Sequence, residues 1–346
     1  MPNPDVRWES SFQTNFGIDL GLFNNRIEVI ADYYTRRADG NLLPALLPAT
    51  TGGLSAPIVN IGEIINNGFE LTINTQNTTG KFDWRTSFNF SRSTNEVTNL
   101  GSNGSLVATV EGVPVTRTEV GLPIGQFYGF VVDGIFQEPS DVTEAPFQSI
   151  DTRAGDIKFK DLNDDGVINA ADQTFIGNPL PDFIANLSNR IAYKGFDFSA
   201  LLQGVFGNDI LNLVRRRTES FEGFGNQSTV ILDRYVPANP SQTIPRAIAA
   251  DPNGNTRISD RFIEDGTFIR LKNISLGYTF PELTTRKIGM DNLRVYVSGQ
   301  NIVTWTDYTG YDPEVGAFNQ NPLINNVDNG RYPISRAFTF GLNANF

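Results

Sequence analysis

One short stretch of the chain has the residue types and the spacing of a calcium-binding loop. It reads DLNDDGVINAAD and spans residues 161–172. Carboxylate or amide side chains stand at its positions 1, 3, 5, 9 and 12, and Gly166 stands sixth, where a loop wrapped around a cation must turn sharply. The pattern predicts one Ca²⁺ held by oxygens of Asp161, Asn163, Asp165, Val167 (through its carbonyl), Asn169 and Asp172.

The twelfth position of this loop departs from the usual pattern. Asp172 stands where a bidentate glutamate is common. The shorter side chain predicts weaker binding, or compensation by Asn169 and a water molecule. Weak binding would suffice in millimolar extracellular calcium, and the ion would be structural. The alternative is a turn without metal, because Asp, Asn and Gly also dominate ordinary turns.

The rest of the sequence offers little for catalysis. The 346 residues include no cysteine and no histidine, which excludes thiolate nucleophiles and Ser-His-Asp triads. Glu70 with Asp83 or Asp197 would be a carboxylate pair, but the three lie on wet faces of different predicted strands, without an apolar pocket to raise one pKa. We therefore expect no enzyme activity. A net charge of −11 also argues against a nucleic-acid partner.

The elements that carry the calcium loop are predicted to be β-strands. Apolar and polar residues alternate with a period of two, which is typical of strands. In the last strand, the apolar face is formed by Phe338, Phe340, Leu342, Ala344 and Phe346. The same pattern predicts nine strands at residues 8–22, 26–35, 68–76, 82–91, 182–193, 196–207, 267–280, 293–305 and 337–346.

The connections between these strands alternate in length. Short turns include the Asn24-Asn25 and Lys194-Gly195 pairs, whereas four joins cover about residues 38–67, 96–182, 209–266 and 306–334. Short turns at one edge and long loops at the other are typical of an outer-membrane β-barrel. The apolar face would then contact lipid, with Trp8, Tyr33, Tyr193, Tyr278 and Trp305 near strand ends. The alternative is a soluble, calcium-stabilised β-domain that binds carbohydrate or protein and buries this face as a dry core.

Three long segments carry a resemblance to a known family. They are residues 3–40, 155–212 (GDIKFKDLNDDGVINAADQTFIGNPLPDFIANLSNRIAYKGFDFSALLQGVFGNDILN) and 265–281 (DGTFIRLKNISLGYTFP). The chain resembles the SusC/RagA family of TonB-dependent outer-membrane transporters from Bacteroidota. The resemblance implies a 22-stranded barrel with an internal plug in the bacterial outer membrane, importing glycan oligosaccharides or peptides with a SusD-like surface lipoprotein.

The resemblance also sets expectations for the part of the barrel seen here. Residues 1–346 would be a C-terminal segment of about nine antiparallel strands with no plug, and the TonB complex would be contacted through a missing N-terminal part. Residues 96–182 would form a long extracellular loop containing the calcium loop. With nine strands the first and last run in the same direction, so we expect an open sheet and not a closed barrel.

Overall fold

The computed structural model describes residues 3–44, 58–101, 104–221 and 225–346, and it confirms the all-β class. The strands in chain order are β1 (Ser10–Leu22), β2 (Ile27–Pro44), β3 (Ile58–Thr78), β4 (Phe82–Asn99), β5 (Ser105–Val110), β6 (Val113–Glu119), β7 (Gln126–Gly129), β8 (Val132–Ile135), β9 (Ile157–Phe159), β10 (Thr174–Gly177), β11 (Phe183–Tyr193), β12 (Phe196–Phe206), β13 (Asp209–Asn212), β14 (Ile263–Asp265), β15 (Phe268–Thr279), β16 (Asn292–Thr306), β17 (Val327–Asp328) and β18 (Ala337–Asn345).

Three short α-helices interrupt the connections: α1 (Pro139–Glu144), α2 (Leu213–Thr218) and α3 (Glu282–Thr285). Among the described residues, no helix is long and apolar enough to cross a membrane.

The nine long strands form one sheet, as the alternating pattern predicts. Its order is β1-β2-β3-β4-β11-β12-β15-β16-β18, and every neighbouring pair is antiparallel. Within the described residues, β1 pairs only with β2 and β18 only with β16, so the sheet is open at both edges. This agrees with the expectation drawn from strand parity.

The pairing register places the apolar side chains on one face of the sheet. Phe16, Tyr33 and Phe69 are directly opposite one another on β1, β2 and β3. On the central strands of the sheet, Phe196 and Leu276 are still 53% and 48% exposed. A contiguous bare apolar face marks contact with lipid or with another protein. The soluble alternative requires this face to be a dry core, and the described residues place no second layer over it.

The predicted connection at 38–67 is wrong in extent. β2 and β3 pair up to Pro44 opposite Ile58, so most of this segment is strand, and the intervening residues 45–57 lie outside the described part of the chain. β4 likewise continues to Asn99. The alternation of apolar and polar residues ends before the pairing of the strands does. Backbone hydrogen bonds between strands do not require an apolar face. Register shifts near Asp39 and Glu63 also disturb the period of two.

Two predicted turns have the expected residues in the left-handed region. Lys194 and Gly195, with φ of 46° and 89°, form a two-residue turn between the paired Tyr193 and Phe196. The Asn24-Asn25 turn is longer than predicted, because the ladder resumes only at Leu22 opposite Ile27 and leaves four residues between. The short connections join the strands at one end of the sheet, which we call the turn edge to distinguish it from the edge strands β1 and β18. The long connections join the strands at the opposite end, which we call the loop edge.

Most of the buried core lies in the long connections and not in the nine-stranded sheet. We use the term loop cap for the described residues of 100–182, 207–267 and 307–336. The cap contains three small sheets, ordered β10-β7-β6-β5, β14-β13-β17 and β8-β9. Its largest apolar cluster joins all three connections, with Phe127, Leu211, Phe262 and Val327 nearly inaccessible. The three connections therefore fold as one packed unit.

Candidate functional site

The predicted calcium loop lies in the cap between β9 and β10. Ile168, its eighth residue, is buried with Phe130 and Phe159 in a second apolar cluster. The Phe147 N–H donates to the Gly166 carbonyl at 2.8 Å, and the Ile168 N–H donates to the Phe147 carbonyl at 2.8 Å. One side of the loop is thus anchored to the cap, and its other side is exposed.

The first half of the loop curls as the motif predicts. Gly166 has a φ of +81°, the left-handed conformation that glycine accepts without strain. The Gly166 N–H donates to Asp161 Oδ2 at 2.8 Å, and the Val167 N–H donates to Asp165 Oδ1 at 2.9 Å. Asn163 Nδ2 also donates to Asp165 Oδ2 at 2.9 Å.

The second half brings the first and twelfth residues together. Asp172 is fully buried, and it accepts the Leu162 N–H at 2.9 Å and the Asn169 N–H at 2.8 Å. Burial alone would raise the pKa of Asp172, but these amides and the interaction with Asp161 outweigh it and lower the pKa. Asp161 Oδ1 is buried without a hydrogen-bond partner. A buried carboxylate oxygen without a donor, beside a second carboxylate, is a group that a hard cation would satisfy.

The remaining predicted ligands are arranged less tightly. Asn169 Nδ2 donates to the Val167 carbonyl at 3.1 Å, so these two predicted ligands are in contact. Across the described chain, however, no three His, Cys, Asp or Glu side chains converge on one point where a metal ion would sit. The structure groups Asp161 with Asp172 and Asn163 with Asp165, and calcium binding stays a prediction.

A buried ion cluster at the loop edge was not anticipated from the sequence. Arg270 extends from the polar face of β15 and is 2% exposed. It donates to Asp312 Oδ1 at 2.6 Å, to Glu314 Oε2 at 2.6 Å and to Thr304 Oγ1 at 2.8 Å. Lys272 adds a contact to Glu314 at 2.7 Å. The cluster attaches the connection 307–336 to the wall of the sheet.

The charge state of this cluster follows from its contacts. Burial opposes ionisation of Asp312, yet hydrogen bonds from Arg270 and from the Glu314 N–H, with the Arg270 charge, hold its pKa below the ordinary value. The signal in the sequence is weak: two basic residues on β15 and an Asp-Pro-Glu triplet at 312–314. Nothing local in the sequence says that these two segments meet.

Two adjoining cavities lie beneath the connection 307–336, and together we call them the mouth cleft. Their volumes are about 310 and 330 Å³, and both are lined by Val315, Gly316 and Arg331. The first also has Pro179, Pro181, Val205, Asn208, Phe268, Pro313 and Ile334 in its walls. A third cavity of about 590 Å³ lies on the polar face towards the turn edge, lined in part by Asp19, Glu28, Asn74, Arg85 and Arg190.

An open antiparallel sheet with a bare apolar face, a polar face and a packed cap at one edge is part of an outer-membrane β-barrel. A family model agrees with this class. Residues 1–302 match the model described as TonB dependent receptor-like, beta-barrel, and the chain belongs to this family. Barrels of this family are outer-membrane proteins.

Curated relatives and solved structures agree with this assignment. The chain is 38% identical, over 99% of its length, to TonB-dependent receptor P3 of Formosa agariphila, and 28% identical, again over 99%, to TonB-dependent receptor SusC of Bacteroides thetaiotaomicron. The structure of the RagAB peptide transporter superposes with a TM-score of 0.81 at 25% identity, covering 99% of this chain and 36% of that one.

These matches confirm the resemblance to the SusC/RagA family. The chain spans about a third of the curated relatives it matches, 35% of receptor P3 and 32% of SusC. The relatives are receptors and transporters and not enzymes, in line with the missing catalytic groups.

Proposed function

We propose that this chain is part of a TonB-linked transporter that imports oligopeptides or glycan oligosaccharides across the outer membrane, together with a SusD-like surface lipoprotein. The observation that carries the proposal is the loop cap, because three connections fold into one unit at a single edge of the sheet. A packed cap at the mouth of a barrel can select what enters.

The two faces of the sheet would divide the work of the transporter. The bare apolar face would contact lipid, and the polar face would line the passage, with the charged cavity near the turn edge inside it. Parts of the longer polypeptide would supply the plug and the contact with the TonB complex.

The proposed substrates are oligopeptides and glycan oligosaccharides. RagAB is a peptide transporter, and the likeness of this chain to its structure supports the peptide alternative. The surface lipoprotein would close over the cap from outside, where exposed side chains such as Ile150, Leu232 and Tyr332 are available for contact.

Calcium in the loop 161–172 is the second part of the proposal. Its support is the buried, unpartnered Asp161 Oδ1 beside Asp172. The ion would fix the segment between β9 and β10 against the second apolar cluster. Its role would be structural, with no part in moving substrate.

Uptake in cells tests the transport proposal. The full-length polypeptide and its neighbouring lipoprotein are expressed in a host that lacks other importers of this type. Cells receive a fluorescently labelled tryptic digest of casein or a labelled partial hydrolysate of starch. We expect uptake of one of the two, lost when TonB is deleted and restored when TonB is returned. Uptake of neither, or uptake that is indifferent to TonB, would contradict the proposal.

A further inference from the structure

We propose that Arg92, together with Tyr33 and Asn67, binds the phosphate group of an outer-leaflet lipid headgroup on the lipid-facing wall of the barrel. The inference rests on the proposed function only in that the loop edge faces the outside of the cell. It depends on the depth of Arg92 in the membrane, on the donors around it and on the lack of a partner for its charge.

Two bands of aromatic side chains cross the apolar face of the sheet. The band nearer the loop edge, the outer band, consists of Tyr33, Phe69, Phe90, Phe183 and Phe206. Its ring centroids are 6.4 Å apart for Phe69–Phe90, 5.5 Å for Phe90–Phe183 and 4.6 Å for Phe183–Phe206. The band nearer the turn edge, the inner band, consists of Phe82, Tyr193, Phe196 and Tyr278. Such bands flank the hydrocarbon region in outer-membrane barrels.

The separation of the two bands fits the thickness of that region. Strand β11 has 11 residues and runs from Phe183 in the outer band to Tyr193 in the inner band. Its length is about 33 Å. A strand tilt of about 40° reduces this to about 25 Å along the membrane normal, which is the height of the apolar surface in such barrels. The outer band therefore lies where hydrocarbon meets the lipid headgroups.

Arg92 stands on the apolar face at the loop-edge margin of the outer band. It is paired with Phe69 on β3 and follows Phe90 by two residues on β4, so it shares their face. Arg92 is exposed, and within the described chain its side chain forms no hydrogen bond or ion pair. A basic side chain at this depth keeps its charged end among the headgroups. Its guanidinium can donate two parallel hydrogen bonds to a phosphate.

Tyr33 supplies a second donor across the ring of Phe69. It is paired with Phe69 from the β2 side, whereas Arg92 is paired with Phe69 from the β4 side. The backbones at Tyr33 and Arg92 are therefore about 10 Å apart, twice the spacing of neighbouring strands. Both side chains are long enough to meet one phosphate placed between them over Phe69.

Asn67 adds an amide donor on the loop-edge side of the same place. It precedes Phe69 by two residues on β3 and so lies on the same face, one step nearer the loop edge. Thr35 Oγ1 donates to Asn67 Oδ1 at 2.9 Å, which orients the amide. Among the described residues no acceptor binds Asn67 Nδ2, so this group is free to donate to a headgroup.

The carboxylates on this part of the face do not neutralise Arg92. Glu63 accepts a hydrogen bond from Arg37 at 2.9 Å and is engaged by it. Glu96 lies four residues beyond Arg92 on β4, about 13 Å along the strand. The charge of Arg92 is thus left for an anion that comes from the membrane.

The test uses the full-length protein purified in detergent, with native mass spectrometry to measure the lipid that stays bound. The probes are lipid A with its phosphate groups and the same lipid A after enzymatic removal of phosphate. Arg92→Gln removes the charge, and Tyr33→Phe removes the hydroxyl but keeps the ring. Arg190→Gln is the matched control, because Arg190 is an exposed arginine on the polar face that also forms no ion pair within the described residues.

We expect the wild type and Arg190→Gln to retain phosphorylated lipid A in preference to the dephosphorylated form. Arg92→Gln should retain about fivefold less of the phosphorylated lipid, the effect of one basic residue at an anionic membrane surface. Tyr33→Phe should retain about threefold less, as for the loss of one hydrogen bond.

Three results would overturn the proposal. They are equal retention by Arg92→Gln and Arg190→Gln, complete displacement of the lipid by inorganic phosphate, and a change in Arg92→Gln that is confined to the ratio of monomer to dimer. The second would make the ligand a free anion, and the third would make it another copy of the chain. The assay does not depend on uptake. A protein that binds phosphorylated lipid through Arg92 but imports nothing would therefore lose the transport function and keep this site.

Discussion

At the scale of single residues, Asp161 is the most informative position in the predicted calcium loop. Its Oδ2 is satisfied by the Gly166 N–H, whereas its buried Oδ1 faces no donor and the side chain interacts with Asp172. A bound cation and an empty turn predict opposite consequences of removing this charge. With calcium present the charge binds metal, and without calcium Asp161 only accepts the Gly166 N–H, which an asparagine oxygen can accept as well.

We expect Asp161→Asn to abolish calcium binding and the stabilisation that depends on it. At an affinity of about 10⁻⁴ to 10⁻³ M, typical of extracellular sites, that stabilisation is about 0.4 to 1.4 kcal/mol in millimolar calcium. The measurement is thermal unfolding of the full-length protein in detergent, with calcium or with EGTA, together with its metal content. Asp151→Asn, an exposed change outside the loop, is the control.

The opposite pattern would favour the turn without metal. In that case EGTA has no effect on the wild type, and Asp161→Asn is neutral or stabilising because the new amide can donate to Asp172. The sequence could place Asp161 near Asp172 because the two lie within twelve consecutive residues. It did not predict Arg270, whose partners Asp312 and Glu314 are more than forty residues away.

At the scale of elements, the cap is attached to the sheet by charge as well as by packing. Arg270 on β15 and Asp312 are both almost fully buried, so the contact between them is shielded from water, whereas Glu314 is about a third exposed. Removing one partner of a buried ion pair costs about 3–5 kcal/mol, because the other charge is left uncompensated. The connection 307–336 should therefore depend on the ionised state of Asp312.

Because the pKa of Asp312 is lowered, the attachment of the connection 307–336 should weaken in acid. A carboxyl whose pKa is lower in the folded state contributes stability above its unfolded pKa, about 4, and loses it as the pH falls through the folded value. We expect the connection 307–336 to become protease-sensitive below about pH 4. Limited digestion, by pepsin in acid and by proteinase K at neutral pH, followed by mass spectrometry of the fragments, measures this directly.

Matched variants separate this site from general acid unfolding. Asp312→Asn should make the connection protease-sensitive already at neutral pH and flatten its response to acid. Asp307→Asn, an exposed change in the same connection, should behave as the wild type. A connection that stays resistant in Asp312→Asn would show that packing alone holds it.

The alternation of side chains identified all nine long strands because each has one apolar and one polar face. The ends of β2, β3 and β4 were missed, since the ladder continues where no apolar face marks it. The short strands of the cap were also missed. β13 pairs with β17 more than a hundred residues later, and strands of two to four residues carry no readable period.

At the scale of the whole molecule, the sheet and the cap differ in how far their apolar side chains are exposed to solvent. The sheet exposes its apolar side chains on one face, and the cap buries them in its own core. This division was predictable from the alternating lengths of the connections. The internal fold of the cap was not, because it depends on contacts among three connections that are distant in the sequence.

The orientation of the sheet in the outer membrane is the central claim, and single-cysteine labelling tests it most directly. The chain has no cysteine of its own, so Ile150→Cys in the cap, Lys81→Cys at the turn edge and Leu276→Cys on the apolar face can each be placed alone in a cysteine-free full-length protein. Intact cells are treated with a membrane-impermeant maleimide. We predict rapid labelling of Ile150→Cys, labelling of Lys81→Cys only after the outer membrane is permeabilised, and labelling of Leu276→Cys only by a probe dissolved in lipid. Labelling of Lys81→Cys but not Ile150→Cys in intact cells, or rapid aqueous labelling of Leu276→Cys, would contradict the account.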